Sequence, residues 1–113
     1  MSAAKQREEI PPGTLEMLIL RTLALGKSMH GFAIAEYILE TSEGVLQVEE
    51  GSLYPALQRM LIKGWVTAQW GVTAGNRRAR YYQLTAAGRK QLAVEESQWR
   101  QLVRAMARML RPA

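Results

Sequence analysis

The pattern of apolar and polar residues begins with a segment that is apolar on every side of a helix. Residues 15–25 read LEMLILRTLAL, and only Glu16 and Arg21 among them are charged. Thr14 before the segment is a suitable N-cap and Gly26 after it is a suitable C-cap, so a first helix is predicted here. A helix that is apolar all round is buried all round. Because one small domain covers such a helix with difficulty, the pattern hints at a second chain.

A second helical segment follows at residues 29–42, which read MHGFAIAEYILETS. Ser28 is the predicted N-cap of this helix, and Gly44 is its predicted terminator. The inward stripe of the second helix is expected to consist of Phe32, Ala35, Ile38 and Leu39. Residues 45–48, VLQV, are then predicted to form a short extended linker.

A third helical segment ends at Gly64 and contains a proline. Its apolar residues at helical spacing are Leu53, Leu57, Met60 and Leu61. Pro55 lies among them, although a proline inside a helix has no N–H to donate and clashes with the carbonyl four residues back. If Ser52 is the N-cap, Pro55 falls in the first turn, where N–H groups have no partner within the helix anyway. The start of the helix would then be rigid, with Ser52 and Tyr54 projecting from it.

The period changes from helical to alternating after the third helix. Residues 65–70 (WVTAQW) and 77–85 (RRARYYQLT) are rich in β-branched and aromatic residues and are predicted to be two strands. Residues 71–76 (GVTAGN) are the predicted turn of this hairpin. The hairpin residues expected in the core, rather than in a ligand cage, are Trp65, Val66, Trp70, Tyr82 and Leu84.

The predicted elements come in the order helix, helix, helix, hairpin and long helix. This order is typical of a winged helix-turn-helix, a mostly α fold with a small β-hairpin wing (α+β). In that architecture the third helix enters the major groove of DNA, and the hairpin loop lies on the phosphate backbone. We divide the chain into a polar N-terminal extension (1–13), a winged-helix DNA-binding domain (14–85) and a C-terminal dimerisation helix (86–113).

Formal charge is distributed unevenly along the chain. Residues 1–50 hold eight Glu and four Lys or Arg, and residues 95–113 hold two Glu and four Arg. Residues 51–94 hold no acidic residue and seven basic ones, namely Arg59, Lys63, Arg77, Arg78, Arg80, Arg89 and Lys90. A positive field over one region favours a polyanion as partner, although basic clusters are also often plain solvated surface.

The composition excludes several kinds of site. The 113 residues include no Cys, no Asp and a single His, His30, so disulfides and thiolate metal sites are excluded and no metal is expected. His30 is expected to hydrogen-bond locally at the start of the second helix. Because there is no P-loop, Gly-rich cofactor loop or catalytic constellation, we predict neither an enzyme nor a cofactor. No apolar run reaches the length of about 20 residues that a membrane span needs, and no signal peptide is evident, so a cytoplasmic protein is expected.

Several of these segments together resemble the PadR family of transcriptional regulators. The similarity is carried by MHGFAI in the second helix, by GSLYPALQRM followed by GW in the third, and by RRARYYQLT in the hairpin. It spans essentially residues 14–100, with the motifs in the right order. The resemblance implies a winged-helix, repressor-type protein that dimerises through its C-terminal helix and binds a pseudo-palindromic operator in double-stranded DNA.

The resemblance also implies a second position for the start of the third helix. In such proteins the helix begins near Glu49 or Glu50, which would place Pro55 in the helix interior. Gly51, four residues before the proline, would then ease the clash because it has no side chain. A glutamate is less suited to the cap than Ser, Asn or Asp, so both starts stay open.

Two groups of residues are candidate DNA contacts. The group on the third helix consists of Ser52, Tyr54, Pro55, Gln58, Arg59 and Lys63. The group on the wing consists of Arg77, Arg78 and Arg80, whose planar guanidinium groups match phosphate geometry. Three alternatives stay open. The first is that Tyr54 packs against the scaffold, and the second is that Arg59 pairs with a Glu of the second helix. The third is that Arg78 or Arg80, which share a strand face with Tyr82, is partly packed.

A long last helix is predicted from Ala86 nearly to Pro112, with Thr85 as its N-cap. Its apolar residues recur at heptad-like spacing, interrupted by Glu95, and such a seam needs a partner helix. The helix would be about 35 Å long at 1.5 Å per residue and would overhang a small body, which favours a homodimer over packing on its own domain. The predicted dimer interface consists of Leu15, Leu18, Leu92, Trp99, Leu102, Val103, Met106 and Met109.

Trp99 has a second interpretation, which comes from the resemblance. In some family members a tryptophan at the matching place faces its twin across the dimer and stacks flat aromatic compounds, which implies a small aromatic effector. We favour the simpler interpretation, in which Trp99 is a large interface residue. A rival function for the whole chain is a winged-helix module for protein–protein assembly without DNA binding, but the acid-free residues 51–94 argue against it.

Overall fold

The computed structural model of the chain describes residues 10, 11 and 13–112. Within that part, four α-helices and three β-strands follow in the order α1 (Leu15–Leu23), β1 (Met29–His30), α2 (Gly31–Thr41), α3 (Glu50–Ile62), β2 (Val66–Val72), β3 (Arg78–Leu84) and α4 (Ala86–Met109). This order confirms the predicted α+β winged-helix fold with a long last helix. The predicted polar extension, residues 1–13, lies almost entirely outside the described residues. No helix within the described part is both long and apolar enough to cross a bilayer.

Helix α1 lies in the middle of the body and contacts α2, α3, β3 and α4. It ends at Leu23, and the backbone turns at Gly26 with a φ of +93°, a left-handed conformation that favours glycine at a helix end. Thr14 stands at the N-cap position, but its hydroxyl donates to the Pro11 carbonyl (2.7 Å) instead of accepting from the helix. Arg21 is exposed, so one chain covers most sides of α1 but not all.

A two-residue strand that the hydrophobic pattern did not reveal precedes α2. Met29 pairs with Tyr82 and His30 with Tyr81, which makes β1 the edge of a sheet of order β1-β3-β2. The prediction of Ser28 as the N-cap of α2 is therefore wrong, because the extended strand delays the helix until Gly31. His30 is the N-cap, and its Nδ1 accepts from the N–H of Ala33 (3.2 Å). The local hydrogen bond predicted for His30 is confirmed.

The inward face of α2 also differs from the predicted one. Phe32 was predicted to lie on the inward stripe, but its side chain is 67% exposed. The residues that α2 buries are Gly31, Ile34 and Ile38. Ala35 is half-buried against the core, as the prediction required. Phe32 thus projects from the first turn of α2 into solvent.

Helix α3 begins at Glu50 with Glu49 as the residue at the N-cap, so the earlier of the two predicted starts is right and Pro55 is interior. The Glu49 side chain makes no capping hydrogen bond. A Cβ at Gly51 would meet nothing within 4 Å, so the suggestion that a bare Gly51 relieves crowding by Pro55 is wrong. The inward face predicted for α3 is confirmed at Leu53, Leu57 and Met60, which are buried, whereas Leu61 is half-buried against the core. Ala56, which was not predicted, is buried as well.

The hairpin and α4 join the body at one point. The hydroxyl of Thr85 accepts from the N–H of Gly88 (3.0 Å) and donates to the carbonyl of Gly64 (2.7 Å), so the predicted N-cap of α4 also binds the turn after α3. Gly88 is buried, and a Cβ there would collide with the carbonyl oxygen of Trp65. A glycine is therefore needed where the first turn of α4 crosses the start of the hairpin.

Candidate nucleic-acid interface

The outward face of α3 carries the residues that were predicted to address DNA. Ser52, Tyr54, Pro55, Gln58 and Arg59 are all exposed, and they lie between the buried positions of the same helix. The alternation follows directly from the helical spacing of the apolar residues, since a stripe that packs on α1 leaves the opposite face to solvent.

Tyr54 combines the two roles that were considered for it. Its side chain is 46% exposed. A Cβ at Gly31 would lie 2.8 Å from Cε1 and from the hydroxyl oxygen of Tyr54, so the tyrosine ring rests on the bare backbone at the start of α2. The ring therefore packs against the scaffold on one side and faces solvent on the other.

One face of the hairpin changes character along its length. Near the body, Val66 pairs with Leu84 and Ala68 with Tyr82, and these side chains pack on the helices. Farther out, the same face carries two pairs, Trp70 with Arg80 and Val72 with Arg78. Trp70 was predicted to be a core residue, but its side chain is 62% exposed, because β2 extends past the helices before it reaches the turn.

Trp70 is in contact with two arginines of the wing. The guanidinium carbon of Arg78 lies 4.7 Å from the centre of the Trp70 ring, and that of Arg80 lies 5.8 Å from it. The Arg80 carbon is also 5.9 Å from the centre of the Tyr82 ring. These distances are within the range of cation–π attraction. Arg80 is half-buried, which confirms that one of the two arginines beside Tyr82 is partly packed.

The wing arginines are free of acidic partners within the described part of the chain. The ion pairs found there join Arg21 to Glu96 and Arg59 to Glu16, and none involves Arg77, Arg78 or Arg80. The Nε of Arg80 is buried and has no hydrogen-bond partner. Unpaired arginines on a two-stranded projection leave a positive surface that is open to an external anion.

An open cleft lies between the wing, α3 and the start of α2, with a volume of about 910 Å³. Five of the predicted contacts line it, namely Tyr54, Gln58, Arg77, Arg78 and Arg80. Residues that were not predicted as contacts also line it, among them His30, Phe32, Glu36 and Trp70. Phe32 and Trp70 were predicted to face the core, and His30 was predicted only to make a local hydrogen bond at the start of α2. Glu36 is an acid inside an otherwise basic cleft.

Arg59 and Lys63 lie outside this cleft and have partners of their own. The Nε of Arg59 donates to Oε2 of Glu16 on α1 (3.1 Å), so the ion pair considered for Arg59 exists but its partner is on α1 and not on α2. The Nζ of Lys63 lies 4.6 Å from the centre of the Trp65 ring. The structure thus does not bring these two residues together with the wing arginines.

A closed turn holds the tip of the wing. The N–H of Thr73 donates to the Arg77 carbonyl (2.8 Å), and the N–H of Arg77 donates to the Thr73 hydroxyl (3.2 Å). Asn76 adopts a φ of +63°, a left-handed conformation that asparagine tolerates better than most residues. The side chain of Arg77 is exposed at this tip.

Comparison with known proteins decides the family. The model of the transcriptional regulator PadR-like family matches residues 19–94 of the chain. This chain belongs to the PadR-like family. It is a transcription regulator with a DNA-binding winged-helix fold, as the resemblance in its motifs implied.

Three relatives illustrate the range of similarity to this PadR-like chain. An uncharacterized protein from Lysinibacillus sphaericus is 30% identical over 93 residues, which cover 82% of this chain and 84% of that one. A PadR family transcription regulator from Clostridium difficile superposes with a TM-score of 0.73 at 29% identity and covers 88% of this chain and 100% of its own. Bacillus subtilis PadR in complex with operator DNA has a TM-score of 0.62 at 22% identity, over 71% of this chain and 46% of that chain.

Helix α4 of this PadR-like regulator carries a second exposed surface. Leu92 is 6% exposed and belongs to the core of its own chain, and Leu15 and Leu18 are half-buried against that core. From Trp99 onward the apolar side chains of α4 are between 39% and 81% exposed. This exposed set, which we call the α4 stripe, consists of Trp99, Leu102, Val103, Met106, Met109 and Leu110.

A shallow groove of about 290 Å³ separates the start of α1 from α4, and Trp99 and Leu102 line it. Gln91 donates through Nε2 to Oε2 of Glu95 (2.8 Å), whereas Oε1 of Glu95 is buried without a partner in the described chain. Glu95 was predicted to interrupt the apolar seam, and it lies beside the groove that Trp99 borders.

Tyr82 is a buried phenol at the base of the wing. Burial raises the pKa of its phenol above the ordinary value, Arg80 opposes this rise, and the neighbouring Tyr54 adds to it. Tyr82 therefore stays neutral at physiological pH. The formal charge of the cleft then comes from its arginines and from Glu36.

Proposed function

We propose that this PadR-like regulator binds a pseudo-palindromic operator in double-stranded DNA as a homodimer and represses transcription there. One observation carries the DNA-binding part of the proposal. The unpaired arginines of the wing line a single open cleft together with two outward residues of α3, Tyr54 and Gln58. A groove with a basic wall and a recognition helix beside it suits a DNA backbone and an adjacent major groove.

The outward face of α3 and the wing would have different tasks. Ser52, Tyr54 and Gln58 on α3 carry hydroxyl and amide groups that reach base edges in the major groove. Arg77, Arg78 and Arg80 on the wing would bind phosphates, which fixes the register of the protein but carries little sequence information. Similarity of fold to Bacillus subtilis PadR in complex with operator DNA supports this arrangement.

Arg59 and Lys63 have a smaller part in the proposal. Arg59 would have to leave Glu16, at 3.1 Å, to bind a phosphate, or use the nitrogens that this ion pair leaves free. Lys63 lies over the Trp65 ring and outside the cleft, so we assign it at most a peripheral phosphate contact.

The α4 stripe supports the homodimer. An apolar seam of this length on the surface of a monomer favours aggregation, and a second copy of the same helix covers it. Leu92 is buried in its own chain and has little exposed surface that a partner could cover. The interface would therefore centre on Trp99 and on the residues after it. A crossed pair of α4 helices would present two copies of α3 to half-sites about 34 Å apart.

An aromatic effector is a further element of the proposal. The groove beside Trp99 has a volume of about 290 Å³ in one chain, which is at the small end for ligand sites, about 300–1,000 Å³. A second chain across the α4 stripe would deepen it around two copies of Trp99. We favour the role of Trp99 as an interface residue, and quenching of tryptophan emission by a flat aromatic compound only in the dimer would establish the effector role.

Footprinting on the DNA upstream of the gene for this protein tests the main proposal. We expect a protected region with two-fold sequence symmetry and half-sites about one helical turn apart. Competition with random-sequence duplex should leave the footprint in place. Absence of any affinity for duplex DNA in the folded dimer would instead favour a protein–protein assembly module.

A further inference from the structure

Trp70 contacts the wing arginines and lies outside the core. It lies on β2 directly across from Arg80, and its ring is 62% exposed. Its close contacts with charged groups are to Arg78 at 4.7 Å and Arg80 at 5.8 Å. A large apolar side chain gains little stability from so exposed a position, so its benefit has to come from the groups that it touches.

Two aromatic rings lie close to the guanidinium group of Arg80, and one nitrogen of that group is buried. Its guanidinium carbon is 5.8 Å from the Trp70 ring and 5.9 Å from the Tyr82 ring, and its Nε is buried without a partner. No ion pair or side-chain hydrogen bond joins the Arg80 guanidinium to another described residue. Its terminal nitrogens are therefore the part of the group that is left to bind an anion, and the two neighbouring rings restrict the movement of the group.

The position of this held guanidinium indicates its ligand. Arg80 lines the cleft opposite Tyr54 and Gln58 of α3, and Arg77 lines the same cleft at the wing tip. A guanidinium binds a phosphate through two parallel hydrogen bonds, and such binding is strongest when the group is already ordered. We propose that Trp70 is a positioning residue, which holds Arg78 and Arg80 for backbone phosphates of duplex DNA between α3 and the wing.

This inference rests on the proposed DNA binding, and its test uses the full chain with a labelled duplex of about 30 base pairs, long enough for two half-sites. Affinity is measured by fluorescence anisotropy at several salt concentrations. We expect Trp70→Ala to weaken binding by roughly three- to ten-fold, which is the range for removal of a cation–π interaction together with a newly mobile arginine side chain. Trp70→Phe should weaken binding less than Trp70→Ala. Val72→Ala, an equally exposed apolar residue on the same strand face, is the matched control and should bind like the parent chain.

A mutant cycle separates positioning from direct contact with DNA. In the background Arg78→Gln/Arg80→Gln, the Trp70→Ala substitution should have no further effect on affinity or on the salt slope, because the groups it positions are gone. An equal loss of affinity in both backgrounds would mean that Trp70 itself touches DNA and would overturn the proposal. No loss of affinity in the parent background would overturn it as well. A parent chain that binds no duplex at all would refute the proposed function, which is a different result from either of these.

Discussion

The cleft beside the wing and the stripe along α4 both expose large apolar side chains, but they differ in what surrounds those side chains. In the cleft, the exposed Phe32, Tyr54 and Trp70 come from three different elements and lie among arginines and polar groups. Along α4, the exposed apolar residues follow one another on one side of a single helix. Aromatic rings among cations suit a polyanion, whereas a continuous aliphatic seam at helical spacing suits another helix.

The difference between the two surfaces should appear most clearly in their response to salt. Binding of a polyanion by arginines releases counterions and weakens steeply as salt concentration rises. Association of apolar helix faces depends on burial of apolar area, which added salt does not screen. DNA binding by this protein should therefore depend steeply on salt, and its dimerisation should not.

The largest expected effect is loss of the dimer on introduction of a charge into the α4 stripe. Met106→Glu would bury an unpaired carboxylate in each half of the interface, at a cost of several kcal/mol for each ion. We expect the dissociation constant of the dimer to rise more than about a hundred-fold, measured by sedimentation at several protein concentrations. Gln101→Glu, an exposed position on the opposite side of the same helix, should leave the dimer intact. A parent chain that sediments as a monomer at micromolar concentration would contradict the assignment of the stripe.

The second prediction concerns the wing. Arg77→Ala/Arg78→Ala should weaken binding to specific and random duplexes alike, by roughly ten- to a hundred-fold at moderate salt. The slope of log affinity against log salt should become shallower by about 0.9 for each phosphate that the variant no longer neutralises. Arg108→Ala removes an exposed arginine near the end of α4 and is the control for net charge alone. An unchanged slope in the folded double variant would rule out phosphate binding by the wing.

Sequence alone predicted the order of helices and hairpin because each element is long enough to show its period. The α3 face is an example, since Leu53, Leu57 and Met60 repeat at helical spacing and are buried as expected. β1 has two residues, Met29 and His30, and no period is visible in so short a strand. Because that strand was missed, α2 was predicted to start two residues too early. Phe32 was assigned to the wrong side because the stripe through Phe32, Ala35 and Leu39 was chosen over the neighbouring one, which the structure buries.

The contents of the cleft were harder to predict than the elements that form it. Alternation along β2 places Trp70 on the same face as Val66, but it does not show where the strand passes the edge of the helices. The point at which β2 passes the edge of the helices depends on the lengths of other elements. Arg59 and Glu16 are 43 residues apart, so nothing local in the sequence identifies them as an ion pair. The dense arginines and the absence of acids from residues 51–94 were the signals that pointed to the wing as a DNA contact.

A third prediction sharpens the division of tasks between α3 and the wing. Tyr54→Phe and Ser52→Ala remove a hydroxyl from the outward face of α3, and each should lower the ratio of specific to random-duplex affinity by about five- to ten-fold. The wing variant Arg77→Ala/Arg78→Ala should leave that ratio nearly unchanged, because phosphates are common to every sequence. Operator discrimination that survives both α3 substitutions would mean that sequence is read through DNA shape or by other residues.

The smallest expected effect comes from the acid in the cleft. Glu36 lines the same space as Arg77, Arg78 and Arg80, so its carboxylate faces the phosphates that these arginines are proposed to bind. Glu36→Gln keeps the size of the side chain and removes the repulsion, and it should tighten binding about two- to four-fold at low salt, with less gain at high salt because exposed charges are screened. Glu40→Gln is the matched control, since Glu40 is also exposed on α2 but does not line the cleft. If the two substitutions tighten binding equally, only net charge matters and DNA does not enter the cleft near α2. If Glu36→Gln weakens binding to the operator alone, Glu36 accepts a hydrogen bond from a base and contributes to specificity instead.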